Sequence, residues 1–375
     1  MKKASFHNSL NIVTTQLNSN KRDDLRLGSV LQQEDVNFQS TMLDGVSRTF
    51  ALTIPRLPLA LRDVISNAYL LCRIIDTIED EPSLTFEQKQ SYCELFIDIL
   101  QSEKDSNMLT SQLAPLLSEH TIPAEHDLIR KLHKVVRITK SFHPDQQKAL
   151  LRCVRIMSEG MVYFQQHASE RGLPDMKEMD KYCYHVAGVV GEMLTELFSF
   201  YSNEIAEKKA ELFELSSSFG QGLQMTNILK DIWDDKKRGV CWLPRNLFEE
   251  KGLFLIDINH HAHKQDFHQV MQQLIRIAHT HLENALRYTL IIPGHEKGIR
   301  EFCLWALGMA MLTLRKINKN LGYTNSDQVK ISRNSVKATV MVVTMSVKQD
   351  VVLKSLFRLL GNGLPGSLAD QPAAP

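Results

Sequence analysis

The stretch LLCRIIDTIED, residues 70–80, decides the fold of this chain. From Leu61 to Ile78 the apolar residues recur every three or four positions, which is the spacing of one face of an α-helix. The same short segment carries one arginine and three carboxylates beside that apolar face. It therefore predicts a helix that is buried along one side and that brings several charges to its C-terminal end.

Four polar residues form a stripe along this predicted helix. Tyr69, Arg73, Asp76 and Asp80 are spaced four, three and four residues apart, so their side chains stack on one face. Because aspartates at positions i and i+4 of a helix are neighbours, both carboxylates can be directed at one point in space. We call this set the first acidic stripe.

A second predicted helix has the same arrangement. The stretch GQGLQMTNILKDIWDD, residues 220–235, is otherwise apolar. Its polar residues are spaced three, four and four apart, and they are Gln224, Asn227, Asp231 and Asp235. We call this set the second acidic stripe, and we expect it to face the first.

Carboxylates in two facing stripes are typical ligands of a hard cation such as Mg2+. For a single pair of aspartates, a solvated helix face is the more common explanation, whereas two such stripes favour a site. Basic residues near both stripes point to diphosphate as the anion. They are Arg48, Arg56 and Arg73 near the first stripe, and Lys230, Lys236, Lys237 and Arg238 after the second.

Composition excludes several classes of protein. The chain has 375 residues, of which 43% are hydrophobic and 23% charged, and a formal net charge of +1. These values indicate a globular protein and give no basis for nucleic-acid binding. The six cysteines form no CxxC pair, which predicts buried thiols in a reducing, cytoplasmic compartment. No secretory signal or membrane span is expected, although association with the inner face of a membrane is compatible with the sequence.

Helical spacing of apolar residues continues along most of the chain, and convincing strand alternation is scarce. We therefore expect an all-α protein with a single domain at residues 37–360. Residues 1–36 and 361–375 are expected to be poorly ordered and flexible, respectively. Residues 338–347, ATVMVVTMSV, fit either a buried helix or a strand.

Four stretches, in this order and spacing, resemble landmarks of the squalene and phytoene synthases. They are SRTF (47–50), AYLLCRIIDTIED (68–80), YCYHVAGVVGEMLTELF (182–198) and LQMTNILKDIWDD (223–235). The stretch QVKISRNSVKATV from Gln328 is similar to the C-terminal region of squalene synthases. In contrast, KKRGVCWLPRNLF, residues 236–248, resembles the phytoene-type branch. The balance favours squalene synthase.

This resemblance implies an isoprenoid synthase helical bundle around a central hydrophobic cavity. It also implies that two farnesyl diphosphates condense head to head through presqualene diphosphate, and that NADPH then reduces the product to squalene. Mg2+, with Mn2+ as a possible substitute, would be the metal, and no obligate protein partner is evident. The implied roles are catalysis for Tyr69, Arg73, Tyr182 and His185, substrate binding for Arg48, Gln224, Asn227 and Arg238, and metal binding for Asp76, Glu79, Asp80, Asp231 and Asp235.

Two departures from the family pattern leave the final product open. Squalene synthases commonly read YCHYVAG where this chain reads YCYHVAG, so His185 stands where the family has a tyrosine proposed as acid and base. A histidine can transfer protons near neutral pH, whereas Tyr184 points about 100 degrees away around an α-helix. Val240 replaces a frequent arginine of the family. An enzyme that halts at presqualene diphosphate, or makes dehydrosqualene or phytoene without NADPH, is the alternative.

Two further alternatives remain. The chain could be a non-enzymatic helical scaffold with the acidic stripes on its surface, which would show no Mg2+-dependent stabilisation by a farnesyl diphosphate analogue. The segment VVLKSLFRLL, Val351 to Leu360, could be a core or dimer helix, or an amphipathic helix resting on a membrane with Lys354 and Arg358 near lipid headgroups.

Overall fold

The computed structural model describes residues 31–47, 49–258 and 264–366, and most of these residues are helical. The first half contains α1 (Gln33–Val46), α2 (Phe50–Thr53), α3 (Leu59–Asp80), α4 (Phe86–Leu100), α5 (Ser106–Leu113), α6 (Pro123–Arg130), α7 (Leu132–Ser141) and α8 (Pro144–His167). The second half contains α9 (Met176–Cys183), α10 (Val189–Tyr201), α11 (Asn203–Glu207), α12 (Lys209–Lys237), α13 (Arg245–Glu249), α14 (Lys264–Ile291), α15 (Lys297–Lys319), α16 (Arg333–Ser346) and α17 (Asp350–Gly361).

Short irregular helices complete the described part of the chain. Three are 3-10 turns at Ile54–Arg56, Ala114–Leu116 and Ser326–Gln328, and one is a π-helical turn at Tyr184–Gly188. Within the described ranges no strand forms, and extended pairing is limited to one bridge between Leu173 and Pro244. The all-α prediction is confirmed, while the central hydrophobic cavity stays a prediction.

Helix α3 forms as its apolar spacing predicts. Its inner face includes Leu61, Leu71 and Ile75, which are buried against α1, α7, α8 and α10. Burial of such side chains stabilises a fold by about 1.5–3 kcal/mol each, so this face fixes the rotation of the helix. The first acidic stripe is thereby held at the border of the core.

Buried Glu81 fixes the place where α3 ends. Its carboxylate accepts hydrogen bonds from the backbone N–H of Ser83 (2.9 Å), the backbone N–H of Ser118 (2.9 Å) and the hydroxyl of Thr121 (2.7 Å). Although burial opposes ionisation, these hydrogen bonds lower the pKa of Glu81 to about 2. The end of the first acidic stripe is therefore tied to the loop before α6.

Helix α12 packs against α14, α10 and α15. Glycine permits another close approach, to the π-helical turn, because a Cβ on Gly220 would lie 2.0 Å from the carbonyl oxygen of Ala187. The helix can therefore lie directly against the π-helical turn. This contact holds the second acidic stripe beside the segment that carries His185.

The structure also bears on the ends of the predicted domain. Helix α1 begins at Gln33, four residues before the expected domain start at 37, and Arg137 donates a 3.0 Å hydrogen bond to the buried Asp35 of its first turn. Residues 1–30 and 367–375 lie outside the described residues. The ambiguous stretch 338–347 is helical as far as Ser346, within α16.

Two further predictions concern cysteines and membranes. The six cysteines all lie within the described ranges and are free thiols, five of them buried, as the absence of CxxC pairs predicts. None of the described helices has both the length and the apolar content that are needed to cross a bilayer.

Candidate active site

The first acidic stripe forms a connected set of polar contacts on α3. The Arg73 guanidinium donates a 2.7 Å hydrogen bond to the Tyr69 hydroxyl, and it lies 3.7 Å from the Asp76 carboxylate. A carboxylate from another helix joins them, because Glu125 on α6 lies 3.5 Å from Arg73. The arginine is thus held between two acids and a tyrosine, and its buried Nε has no hydrogen-bond partner among the described residues.

Burial changes the ionisation of this stripe. It raises the pKa of Asp76 to about 7, and although Arg73 acts against this shift, the charges of Asp80 and Glu125 add to it. Burial likewise raises the pKa of Glu79 to about 7, with a further contribution from Asp80. Carboxylates crowded in this way become easier to ionise when a cation binds between them.

Glu79 has a partner that the sequence does not reveal. Gln165 on α8 donates a hydrogen bond to the Glu79 carboxylate, and the Lys89 ammonium donates to the Glu79 backbone carbonyl. The first contact orients the Glu79 carboxylate, and the second holds the backbone at the end of α3. Glu79 is therefore positioned by two neighbouring helices, α4 and α8.

The second acidic stripe is also partly buried. Asp235 is 8% exposed, and burial raises its pKa while Arg238 acts in the opposite direction. One turn earlier, the Lys230 ammonium lies 3.0 Å from Asp231 and donates a 3.2 Å hydrogen bond to the Asn227 side chain. Half-buried Gln224 continues the stripe towards the middle of α12.

Arg238 connects the two stripes. Its guanidinium donates a hydrogen bond to Asp235 and lies 3.7 Å from the Asp80 carboxylate. One cation therefore bridges carboxylates from α3 and α12. The expectation that the two stripes face each other is met at this point of the structure.

The donor set fits a hard divalent cation. Carboxylate oxygens are the ligands that Mg2+ prefers, usually together with waters and substrate phosphates. In the described part of the chain, no three acidic, thiol or imidazole side chains converge into a ready-made metal cluster. The metal ligands therefore stay a prediction, and the predicted set is Asp76, Glu79, Asp80, Asp231 and Asp235.

Aromatic rings border the carboxylates. Tyr182 stacks on Trp242 with ring centroids 4.2 Å apart and planes 7° apart, and Phe164 meets the same tyrosine edge to face at 5.1 Å. Burial raises the pKa of Tyr182, and the Glu79 charge adds to the shift. The Tyr182 hydroxyl thus remains a neutral hydrogen-bond donor beside the acidic residues.

His185 lies in the π-helical turn. Its Nδ1 is 2.8 Å from the Lys181 backbone carbonyl, and since a carbonyl can only accept, Nδ1 is the donor in this contact. The ring packs onto α8 at Gly160, where any added Cβ would lie 2.2 Å from the Cβ of His185. Tyr184 points instead to Glu192, at 3.4 Å. Single-turn π helices are often found at functional sites.

The structure brings together most of the residues that the sequence proposes. Arg48 lies outside the described residues. Glu125, Gln165 and Trp242 were missed, because each lies on a different segment from the acidic stripes, and Glu125 and Gln165 have no neighbouring motif. For Trp242 the signal was present, since it lies within the segment 236–248 already compared with the family.

Lys236 is a further residue whose role the sequence does not reveal. Its ammonium donates to the carbonyls of Leu255 (3.2 Å), Ile256 (3.1 Å) and Ile258 (2.6 Å). It therefore holds the loop after α13 against the end of α12, instead of presenting its charge to an anion.

The sequence of this chain is similar to those of known proteins. The squalene/phytoene synthase family model matches residues 43–335. Squalene synthase ERG9 of Saccharomyces cerevisiae is 27% identical over 288 residues, which are 74% of this chain and 61% of that protein. The squalene synthase of Solanum lycopersicum is 29% identical over 284 residues, or 75% of this chain and 64% of its own length. The chain thus spans less than two thirds of these relatives.

Solved structures show the same fold. TcSQS in complex with the ligand BPH1237 has a TM-score of 0.71 and 22% identity, with 92% of this chain and 94% of that chain covered. A dehydrosqualene synthase in complex with a ligand has a TM-score of 0.61 and 18% identity, with coverage of 86% and 98%. These likenesses concern the arrangement of helices.

Proposed function

Because the chain belongs to the squalene/phytoene synthase family, we propose that it condenses two farnesyl diphosphates head to head through presqualene diphosphate. In this proposal the product is then reduced to squalene with NADPH. The observation that carries the proposal is the position of Arg238 between Asp80 and Asp235. It supports a single cationic site shared by both acidic stripes.

The charges around this site suit a departing diphosphate. When bound, Mg2+ would neutralise the negative charge that builds on the leaving group. Arg73, whose pKa is raised by Asp76 even though burial opposes it, is a permanent cation on one side. Lys230 and Arg238 supply cations on the other side. Preorganised charges of this kind stabilise a transition state without reorganising.

The hydrocarbon half of the reaction needs protection from water. An allylic cation alkylates the double bond of the second substrate, and loss of a proton closes the cyclopropane. The stacked rings of Tyr182 and Trp242, with Phe164 beside them, form an apolar wall next to the carboxylates. Such a wall excludes water and can stabilise a cation through the ring faces.

The second half-reaction is the open part of the proposal. NADPH would supply the hydride that ends the rearrangement as squalene. The second candidate is a synthase that stops at presqualene diphosphate or makes dehydrosqualene or phytoene without NADPH. The observation favouring this candidate is that His185 stands where squalene synthases have a tyrosine. The histidine is held in the π-helical turn by the backbone carbonyl of Lys181.

Product analysis tests both candidates. Purified protein is incubated with farnesyl diphosphate and Mg2+, with and without NADPH, and both the hexane extract and the aqueous phase are analysed by mass spectrometry. Squalene formed only with NADPH supports the first candidate. Presqualene diphosphate or dehydrosqualene formed in both reactions supports the second.

The metal assignment is tested in the same assay. Asp231→Ala should lose turnover by a factor of about a thousand, whereas the exposed carboxylate of Glu119 can be changed to glutamine without effect. If a folded protein consumes no farnesyl diphosphate, or if Asp231→Ala keeps full turnover, the proposal is wrong.

A further inference from the structure

The C-terminal pair of helices exposes an unusual number of large apolar side chains. Met345 is 74% exposed and Val351 is 78% exposed. No other described stretch of this length carries as many exposed large apolar residues. We call the set the C-terminal apolar face, and its members are Met341, Val342, Met345, Val351, Val352 and Leu359.

These side chains lie on the outer sides of packed helices. On α16, Val343 and Ser346 are buried, and on α17, Leu353 and Phe357 are buried. Phe357 stacks on His279 of α14 with ring centroids 5.8 Å apart. Because the inner sides already have partners, rotating either helix to hide its outer side would expose the buried one.

A buried arginine holds the two helices in place. Arg300 donates to the backbone carbonyl of Val347 at 2.9 Å and to the Asp350 carboxylate at 2.5 Å. Both contacts lie at the junction between α16 and α17. The C-terminal apolar face is therefore a fixed surface rather than a frayed end.

The charges on the segment that carries this face are strongly asymmetric. Between residues 331 and 366 there are five basic residues and one acidic residue, although the whole chain has a formal net charge of +1. The single acid, Asp350, is already paired with Arg300. The five basic side chains are exposed and form no ion pair with any described residue, and they are Arg333, Lys337, Lys348, Lys354 and Arg358.

We propose that the C-terminal apolar face docks on the surface of an anionic lipid bilayer. Apolar side chains would enter the boundary between headgroups and acyl chains, while the surrounding lysines and arginines contact lipid phosphates. A second copy of the chain is a poorer occupant, because a symmetric dimer would bring the same five cations together. The proposal depends on this surface and not on the proposed reaction.

Vesicle co-sedimentation tests the proposal with the full chain and without substrate. We expect binding to vesicles that contain phosphatidylserine, and much weaker binding to pure phosphatidylcholine. Since electrostatic attraction is screened by salt, binding should fall steeply towards about 0.5 M NaCl. Lys354→Ala/Arg358→Ala should weaken binding about thirtyfold, given the contribution of each basic residue near an anionic surface.

A second variant tests the apolar contribution. Met345→Ser/Val351→Ser should weaken vesicle binding at least tenfold while leaving thermal stability and consumption of farnesyl diphosphate unchanged. Leu116→Ser/Ile122→Ser, which alters exposed apolar residues elsewhere, is the matched control and should bind like the unmodified chain. The proposal is overturned if the chain ignores anionic vesicles, if it forms a dimer through this face instead, or if Met345→Ser/Val351→Ser binds normally.

Discussion

The guanidinium of Arg238, at the end of α12, lies 3.7 Å from the carboxylate of Asp80 at the end of α3. It also donates to Asp235, so it neutralises part of the site that a divalent cation would neutralise. The same side chain is well placed to meet diphosphate once metal has entered. These two roles have effects of opposite sign, which makes them separable by experiment.

We therefore expect Arg238→Gln to bind metal more tightly and substrate more weakly. Loss of the competing guanidinium should lower the Kd for Mn2+ two- to fivefold, because the free energy of an exposed ion pair corresponds to a change of about that size. Loss of a charge-assisted contact should raise KM for farnesyl diphosphate about tenfold. Titration calorimetry with Mn2+ and steady-state kinetics measure the two effects.

The control for Arg238 is its neighbour Lys237, which pairs with Asp234 at 3.2 Å. Lys237→Gln should change neither quantity. Equal metal affinity in Arg238→Gln and the unmodified chain would contradict the bridging role.

The stability of the metal-free protein should depend on pH through Asp76. Its folded pKa is about 7 because of burial, while the value in an unfolded chain is about 4. The proton on Asp76 therefore adds to the free energy of unfolding. This contribution is fully present below about pH 4 and is lost as pH rises through 7. We expect the melting temperature to fall over this range, less so in Asp76→Asn, and to recover at pH 7.5 when Mg2+ and diphosphate are added together.

Thermal melts across pH test this expectation, with exposed Asp44→Asn as the control. Asp76→Asn should be at least as stable as the unmodified chain above pH 7, yet inactive. A melting profile of Asp76→Asn that parallels the unmodified chain would show that Asp76 is not the group responsible.

Tyr182 combines a stacked ring with a hydroxyl that has no hydrogen-bond partner among the described residues. If the ring excludes water and the hydroxyl contacts substrate, the two functions can be separated. Tyr182→Phe should lower turnover about tenfold, the effect of losing one hydrogen bond to substrate, without new products. Tyr182→Ala should in addition release alcohols, formed when water captures the cation, and these are detectable by mass spectrometry.

Buried Tyr92→Phe is the matched control for the loss of a hydroxyl, and it should behave like the unmodified chain. Alcohols from Tyr182→Phe, or their absence from Tyr182→Ala, would show that the ring does not shield the reaction.

Glu81 should matter for stability rather than chemistry. Glu81→Gln leaves donors at Ser118 and Thr121 without a charged acceptor, and we expect a loss of about 1–3 kcal/mol in the free energy of unfolding. Because the folded pKa is lowered to about 2, the contribution is present above about pH 4.3 and is lost as pH falls towards 2.

Urea unfolding at several pH values measures this contribution, with exposed Glu119→Gln as the control. The difference between Glu81→Gln and the unmodified chain should shrink below pH 4. A difference that is constant down to pH 2 would mean that the charge of Glu81 does not contribute.

Local patterns explain what the sequence could predict. Helix α3 and the stripe from Tyr69 to Asp80 follow from spacing within one segment, and the structure places them as expected. The partners Glu125 and Gln165 could not be predicted in the same way, because their proximity depends on how α6 and α8 cross α3. Spacing alone also could not decide between helix and strand for residues 338–347, because the outer face of this helix is apolar, whereas that of a surface helix is usually polar.

The π-helical turn at Tyr184–Gly188 changes how this chain can be compared with its relatives. The columns of a sequence alignment count residues, whereas side-chain directions follow turns, and a π turn holds one residue more than an α turn. A tyrosine and a histidine can therefore stand in swapped alignment columns in two proteins and still occupy equivalent positions in space. This requires that the π-helical turn begins at a different residue in each protein. The transposition at Tyr184 and His185 is for this reason a question of helical register as well as of chemistry.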